Sequence, residues 1–148
     1  MVKIARFTRK LCALTGMALS VYLFNLKLAG GQPYCPATGF INCATVLHSA
    51  YSLFLGLPVP FYGMFWFLLL YALPTDSPKK WLTKTSRLLV ISGGVFVVYL
   101  VVVELFLLHH LCLWCSATHV VALLGIISYF WEHRKPRRSL WSSRYDFS

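Results

Sequence analysis

Five cysteines carry the most specific chemistry in this 148-residue chain. Cys112 and Cys115 form a Cys-x-x-Cys, read as Cys112-Leu113-Trp114-Cys115, and Cys35 and Cys43 form a second, wider pair. A thiolate is the species that attacks disulfides and donates electrons, and a helix N-terminus stabilises it through partial positive charge and unpaired N–H groups. Burial in apolar surroundings works the other way. Two pairs within reach of each other permit a relay by thiol–disulfide exchange. Plainer readings stand beside this one: an inert structural disulfide between Cys35 and Cys43, or Cys112 and Cys115 as small apolar residues. A zinc site built from Cys112 and Cys115 with His109, His110 or His119 would be redox-silent, and such ligand spacing belongs mainly to soluble knuckles. Ser116 follows Cys115, so the haem-attachment pattern is absent. Cys12 reads as a buried hydrophobe. No metal ligand set is assigned.

The elements that must position these thiols are set by composition. The chain is 58% hydrophobic and only 12% charged, against about 25% charged for a typical soluble domain. Its mean hydropathy is +0.67. Disorder requires low hydrophobicity and is excluded, and five cysteines are too few for a secreted disulfide scaffold. A spanning helix needs about 20 apolar residues. Four runs answer: Leu11–Leu26, Leu55–Leu73, Leu88–Leu108 and Leu111–Trp131. They do not alternate as barrel strands do. The expected fold is therefore all-α: one membrane domain over residues 1–148, a four-transmembrane-helix bundle. An outer loop and a short interfacial helix over Ala44–Phe54 come between the first two spans.

Charge sets the orientation. Lys3, Arg6, Arg9 and Lys10 precede the first run; Lys79, Lys80, Lys84 and Arg87 separate the second and third; Arg134, Lys135, Arg137, Arg138 and Arg144 follow the fourth. Thirteen of the 14 cations then share one side, with Lys27 on the other. The positive-inside rule puts both termini in the cytoplasm of a multi-pass plasma-membrane protein, which requires an even number of spans. Thr75–Lys80 becomes a cytoplasmic turn and the chain after Glu132 a basic tail. The net charge of +10 belongs to these flanks, which suit anionic lipid headgroups better than nucleic acid. The first run lacks a clear cleavage site and stays as a span. Both cysteine pairs fall on the non-cytoplasmic side, where disulfides persist.

At this point the chain resembles the vitamin K epoxide reductase family in its compact prokaryotic form. The likeness rests on Cys35-Pro36-Ala37-Thr38-Gly39-Phe40-Ile41-Asn42-Cys43, then Val46, Ser49 and Tyr51, then Gly56-Leu57-Pro58-Val59-Pro60 and Gly63, and finally Cys112-Leu113-Trp114-Cys115 opening the last helix. Another bacterial disulfide-generating membrane family has its Cys-x-x-Cys first, the reverse of the order here. The resemblance implies a quinone pocket near the outer surface, Cys112 and Cys115 as the active-site pair with Cys115 facing the quinone, Cys35 and Cys43 as a shuttle pair, and Ser49 close to the reactive cysteines. It implies ubiquinone, menaquinone or a related naphthoquinone as acceptor and a thioredoxin-fold thiol carrier as partner. No thioredoxin-like segment follows the last span, so the carrier is expected to be a separate protein.

Animal members place a Tyr four residues after the last cysteine and an Asn four residues before the glycine matching Gly63; here His119 and Val59 stand there. The loop before the second span is also shorter. These departures point to a bacterial or archaeal disulfide-forming enzyme rather than to epoxide reduction. The alternatives are a vitamin K quinone or epoxide reductase, a structural four-helix protein with a rigidifying disulfide, and a haem carrier using His48, His109, His110 or His119. His119 lies one turn beyond Cys115 on the same face and is expected to meet the quinone. Phe61 and Phe65, also one turn apart, are expected to line an apolar pocket. Glu104 is the only charge in the third run and is a candidate by position, unless it reaches water. Trp114 is expected as an interface anchor.

Overall fold

A computed structural model describes residues 2–35, 39–74 and 80–133, except the side chains of Val2 and Lys80. The expected turn over Thr75–Lys80, apart from the helical backbone of Lys80, and the basic tail from Arg134 onward lie outside these residues.

Helix α1 runs over Val2–Ala29, well beyond the expected Leu11–Leu26, because its first, cation-rich turns are helical too. It stops where Gly30 takes φ +63°, and the Gly31 N–H donates to the Leu26 carbonyl at 3.0 Å. That is a glycine-terminated helix end, with a left-handed residue turning the chain back on its last carbonyls. A short helix, α2, covers Cys43–His48. Asn42 caps it, its side-chain oxygen accepting from the Thr45 N–H at 3.1 Å.

The expected interfacial helix over Ala44–Phe54 ends early. After α2 come a 3-10 turn, Ala50–Ser52, and a two-stranded hairpin of β1 (Leu53–Phe54) and β2 (Leu57–Pro58). Leu55 and Gly56 close it with φ of 51° and 83°, the two positive values that the tightest hairpin turn demands. Gly56 adopts such a φ freely; Leu55 is strained there. This hairpin consumes the first residues of the expected second run. Helix α3 therefore covers only Val59–Ala72, 14 residues or about 21 Å, short of a bilayer's hydrocarbon thickness.

Helix α4 covers Lys80–Val102 and continues as a π-helical turn over Val103–Leu108. His109, left-handed at φ 54°, ends it, and the N–H groups of His109 and His110 both donate to the Glu104 carbonyl. Helix α5 covers Leu113–His133. It starts two residues later than the expected Leu111 because Leu111 is paired with another segment. Three stretches are long and apolar enough to cross a membrane: Lys3–Ala29, Trp81–Leu108 and Leu113–His133.

Helix α1 packs against both α3 and α5, and α4 packs against α5. The core between them holds Ala13, Phe67, Leu70, Val90, Val97, Ala122 and Tyr129. Gly16 allows the Phe67 ring, and Gly93 the Trp66 indole, to approach where any Cβ would clash. Large apolar side chains such as Leu14, Phe65, Val95, Val98, Phe106 and Trp131 are exposed. Water would not tolerate so broad an apolar surface, whereas lipid tails are its natural solvent.

One end of the bundle is tied by charge. Arg9, 1% exposed, donates through Nε to Glu132 Oε2 at 3.0 Å, through Nη1 to the Leu70 carbonyl at 2.5 Å and through Nη2 to the Leu73 carbonyl at 3.2 Å. Arg6 reaches the other carboxylate oxygen of Glu132 at 3.4 Å. The guanidinium thus satisfies carbonyls that the end of α3 leaves open and joins α1, α3 and α5.

Candidate active site

The opposite end gathers both cysteine pairs. Ile41 and Leu111 form a parallel β-bridge. The Asn42 N–H donates to the Leu111 carbonyl at 3.1 Å, and the Leu111 N–H to the Phe40 carbonyl at 2.9 Å. This clamp sets the two following chain segments side by side. Cys43 and Cys112 are buried to 1% and 0% exposure and share a cluster with Val46, against which Cys35, Leu108, Trp114 and Cys115 pack. Cys35 and Cys43 are joined as a disulfide, while Cys112 and Cys115 are free thiols. Trp114 is more than a surface anchor: its indole N–H donates to the Tyr34 carbonyl at 3.0 Å, and its ring lies 5.1 Å from that of Tyr22. It ties the segment before Cys35 to α5 and α1.

Cys112 stands immediately before α5 and serves as its cap. The Cys115 N–H donates to Cys112 Sγ at 3.2 Å, the place a serine or aspartate oxygen usually takes at a helix start. The Ser116 N–H donates to the Cys112 carbonyl at 2.8 Å. A hydrogen bond from the Cys115 side chain, aided by this backbone N–H, holds the Cys112 thiol below its ordinary value despite burial and the nearby Glu104 charge.

Beside the pair opens a cavity of about 410 Å³ between α1, α3, α4 and α5. Cys115 reaches it and Cys112 does not. Ser49, Val59, Phe65, Glu104 and His119 line it. Phe61 is the correction: it is not on this wall, but packs at the start of α3 against Phe24, ring to ring at 6.0 Å. Sharing a helix face with Phe65 was insufficient to bring the half-exposed Phe61 ring to the cavity. Glu104 does not reach out to water; it is 5% exposed. Ser49 hydrogen-bonds locally, its Oγ donating to the Val46 carbonyl at 2.9 Å. Lys27 steadies the same region through the Leu47 carbonyl at 2.8 Å and Ser52 Oγ at 2.5 Å.

Tyr62 and Trp66, from the aromatic-rich second run, also line the wall, and so do Ser20 and Phe96, which were not singled out from sequence. Ser20 carried a signal, a small polar residue in an apolar helix facing a neighbour that is also small, Gly63. His48 contacts the Gly31 carbonyl at 3.1 Å and is exposed. Cys12 lies where α1 meets Gly125 of α5, away from the other thiols. Among the described residues no three His, Cys, Asp or Glu side chains gather as a metal site. The cavity's size and mostly apolar wall, with a few polar groups, are those of a small-molecule site.

A family model described as the vitamin K epoxide reductase family matches residues 8–130. The match takes in both cysteine pairs, the clamp between them and every helix that borders the cavity. It supports a quinone-linked redox function and a membrane-embedded oxidoreductase. The chain belongs to the vitamin K epoxide reductase family.

Proposed function

We propose that the protein is a quinone-linked thiol oxidase that reoxidises a separate thioredoxin-fold carrier outside the membrane. The observation that carries this reading is the packing of Cys43 against Cys112 in one buried cluster, with Cys115 opening onto the cavity. A structural disulfide needs no second dithiol packed against it.

The relay balances. A carrier thiolate attacks Cys35, the Cys35–Cys43 bond breaks, and Cys43 leaves as a thiolate; the carrier's second thiol resolves the mixed disulfide. Cys43 then attacks Cys112 of an oxidised Cys112–Cys115 pair, and Cys115 leaves. Cys35 attacks Cys43, which restores the loop disulfide and frees Cys112. Finally Cys112 and Cys115 rejoin, giving two electrons and two protons to a quinone substrate held in the cavity, which leaves as the hydroquinone. Reduction potential sets each exchange: for two electrons about 30 mV is roughly 1.4 kcal/mol. A quinone is a stronger oxidant than most protein dithiols, so the last step draws the sequence forward. Ser49, Val59, Phe65 and His119 position the ring, and His119 offers an imidazole to a ring oxygen.

In this reading α3 completes a fourth crossing, and the positive flanks hold both termini in the cytoplasm of a bacterial or archaeal plasma membrane. The test is hydroquinone formation by the purified protein with a reduced thioredoxin-fold carrier and a soluble quinone. Turnover that disappears in Cys112→Ala and in Cys115→Ala supports the relay; turnover unaffected by either sinks it.

A further inference from the structure

Glu104 is the buried acidic group that the relay leaves without a task. It lies within a span, where a carboxylate is expensive to keep, and it lines the cavity at 5% exposure. Its carboxyl meets the backbone N–H of Cys112, and its charge acts on both Cys112 and Cys115. Its backbone is fixed as well. The π-helical turn begins at Val103, and the Glu104 carbonyl accepts from the N–H groups of both His109 and His110. Such widened turns recur at functional sites because the extra residue re-aims the side chains beside it. Here the turn places one carboxyl between the helix-capping thiol and the cavity.

We propose that Glu104 is the proton carrier between the Cys112–Cys115 dithiol and the quinone. The inference rests on the oxidase reading. When the dithiol becomes a disulfide, two protons leave sulfur and two must reach the acceptor's oxygens. Glu104 as carboxylate takes the Cys112 proton, leaving a thiolate. The Cys112–Cys115 bond forms as two electrons pass to the quinone. Glu104, now the neutral acid, gives its proton to one quinone oxygen, and the Cys115 thiol supplies the other. The ionisable groups around it are Cys112 and Cys115, His119 of α5, Tyr62 of α3 and Tyr51 before the hairpin, which share the cavity, and His109 and His110, whose backbone N–H groups follow the turn and meet its carbonyl; α1 presents Ser20 and Leu23 to the cavity.

The test compares wild type with Glu104→Gln and Glu104→Asp in two measurements. The first is the ultraviolet thiolate absorbance of the fully reduced protein against pH, with no quinone present. Glutamine removes a negative charge beside Cys112, so its thiolate should appear at lower pH than in wild type; aspartate should hold the titration near its original place. The second is the pH profile of dithiothreitol-driven quinone reduction. Glu104→Gln should lose about 10²-fold in kcat, the usual scale for a positioned proton-transfer group, and the limb that the carboxyl contributes; Glu104→Asp should keep that limb. An unshifted thiolate titration in Glu104→Gln overturns the proposal whatever the rates. So does a rate and profile like wild type, or an equal fall at every pH. Wild-type protein that reduces no quinone would instead defeat the oxidase reading, while the titration still decides whether this carboxyl is coupled to the dithiol.

Discussion

The two inner cysteines differ in what surrounds them. Cys112 caps a helix and accepts an N–H; Cys115 opens onto the cavity. Because the Cys115 side chain is the largest cause of the lowered Cys112 value, Cys115→Ala should move the Cys112 thiolate to higher pH. An ultraviolet titration of the reduced variant checks the sign. The cavity wall makes a second distinction. Phe65→Ala should raise the KM for quinone several-fold while Phe61→Ala leaves it near the wild-type value, since only Phe65 borders the space; steady-state kinetics with a soluble quinone decides. At this scale the cysteine pairs and His119 were picked out in sequence by type and spacing, while Ser49 came only from the family resemblance. Phe61 lies off the cavity because helical periodicity says which residues share a face and nothing about how far along the helix a cavity extends.

At the scale of elements, length and hydrophobicity disclosed the long helices but misplaced their ends. The hairpin at Leu55-Gly56 shortens α3, and a leucine at positive φ is no turn signal. The π-helical turn over Val103–Leu108, apolar but for Glu104, leaves no periodic trace in six residues. The pairing of Arg9 with Glu132 spans 123 positions of sequence, and both residues read as flanking charge. Their burial has a measurable consequence. Arg9→Met leaves the α3 carbonyls without this donor and the Glu132 carboxylate with Arg6 alone, at 3.4 Å, so it should cost about 3 kcal/mol, seen as a lower thermal unfolding midpoint in detergent. Adding Glu132→Leu should recover part of that loss.

Across the whole molecule, charge sits at one end and redox chemistry at the other, with an apolar cavity inside. The Arg9–Glu132 tie holds α1, α3 and α5 together. The Ile41–Leu111 bridge and the Trp114–Tyr34 hydrogen bond bring the outer segment down onto α5. Sequence indicated that the pairs share a face, and family likeness suggested the order of transfer. The clamp that brings them into contact depends on backbone hydrogen bonds between residues some seventy positions apart, which no local pattern encodes. The bridge has its own test: Leu111→Pro removes the N–H donated to Phe40, and should slow carrier-driven turnover while sparing turnover fed by dithiothreitol, which can reduce the inner pair directly.

The proposed passage of electrons from Cys43 to Cys112 is tested most directly by trapping the bond between them. In a Cys35→Ala, Cys115→Ala variant, neither resolving thiol remains. Under mild oxidation in the membrane, peptide mass spectrometry should find Cys43 linked to Cys112. Recovery of both as separate thiols, in a variant that keeps its fold, would contradict the relay.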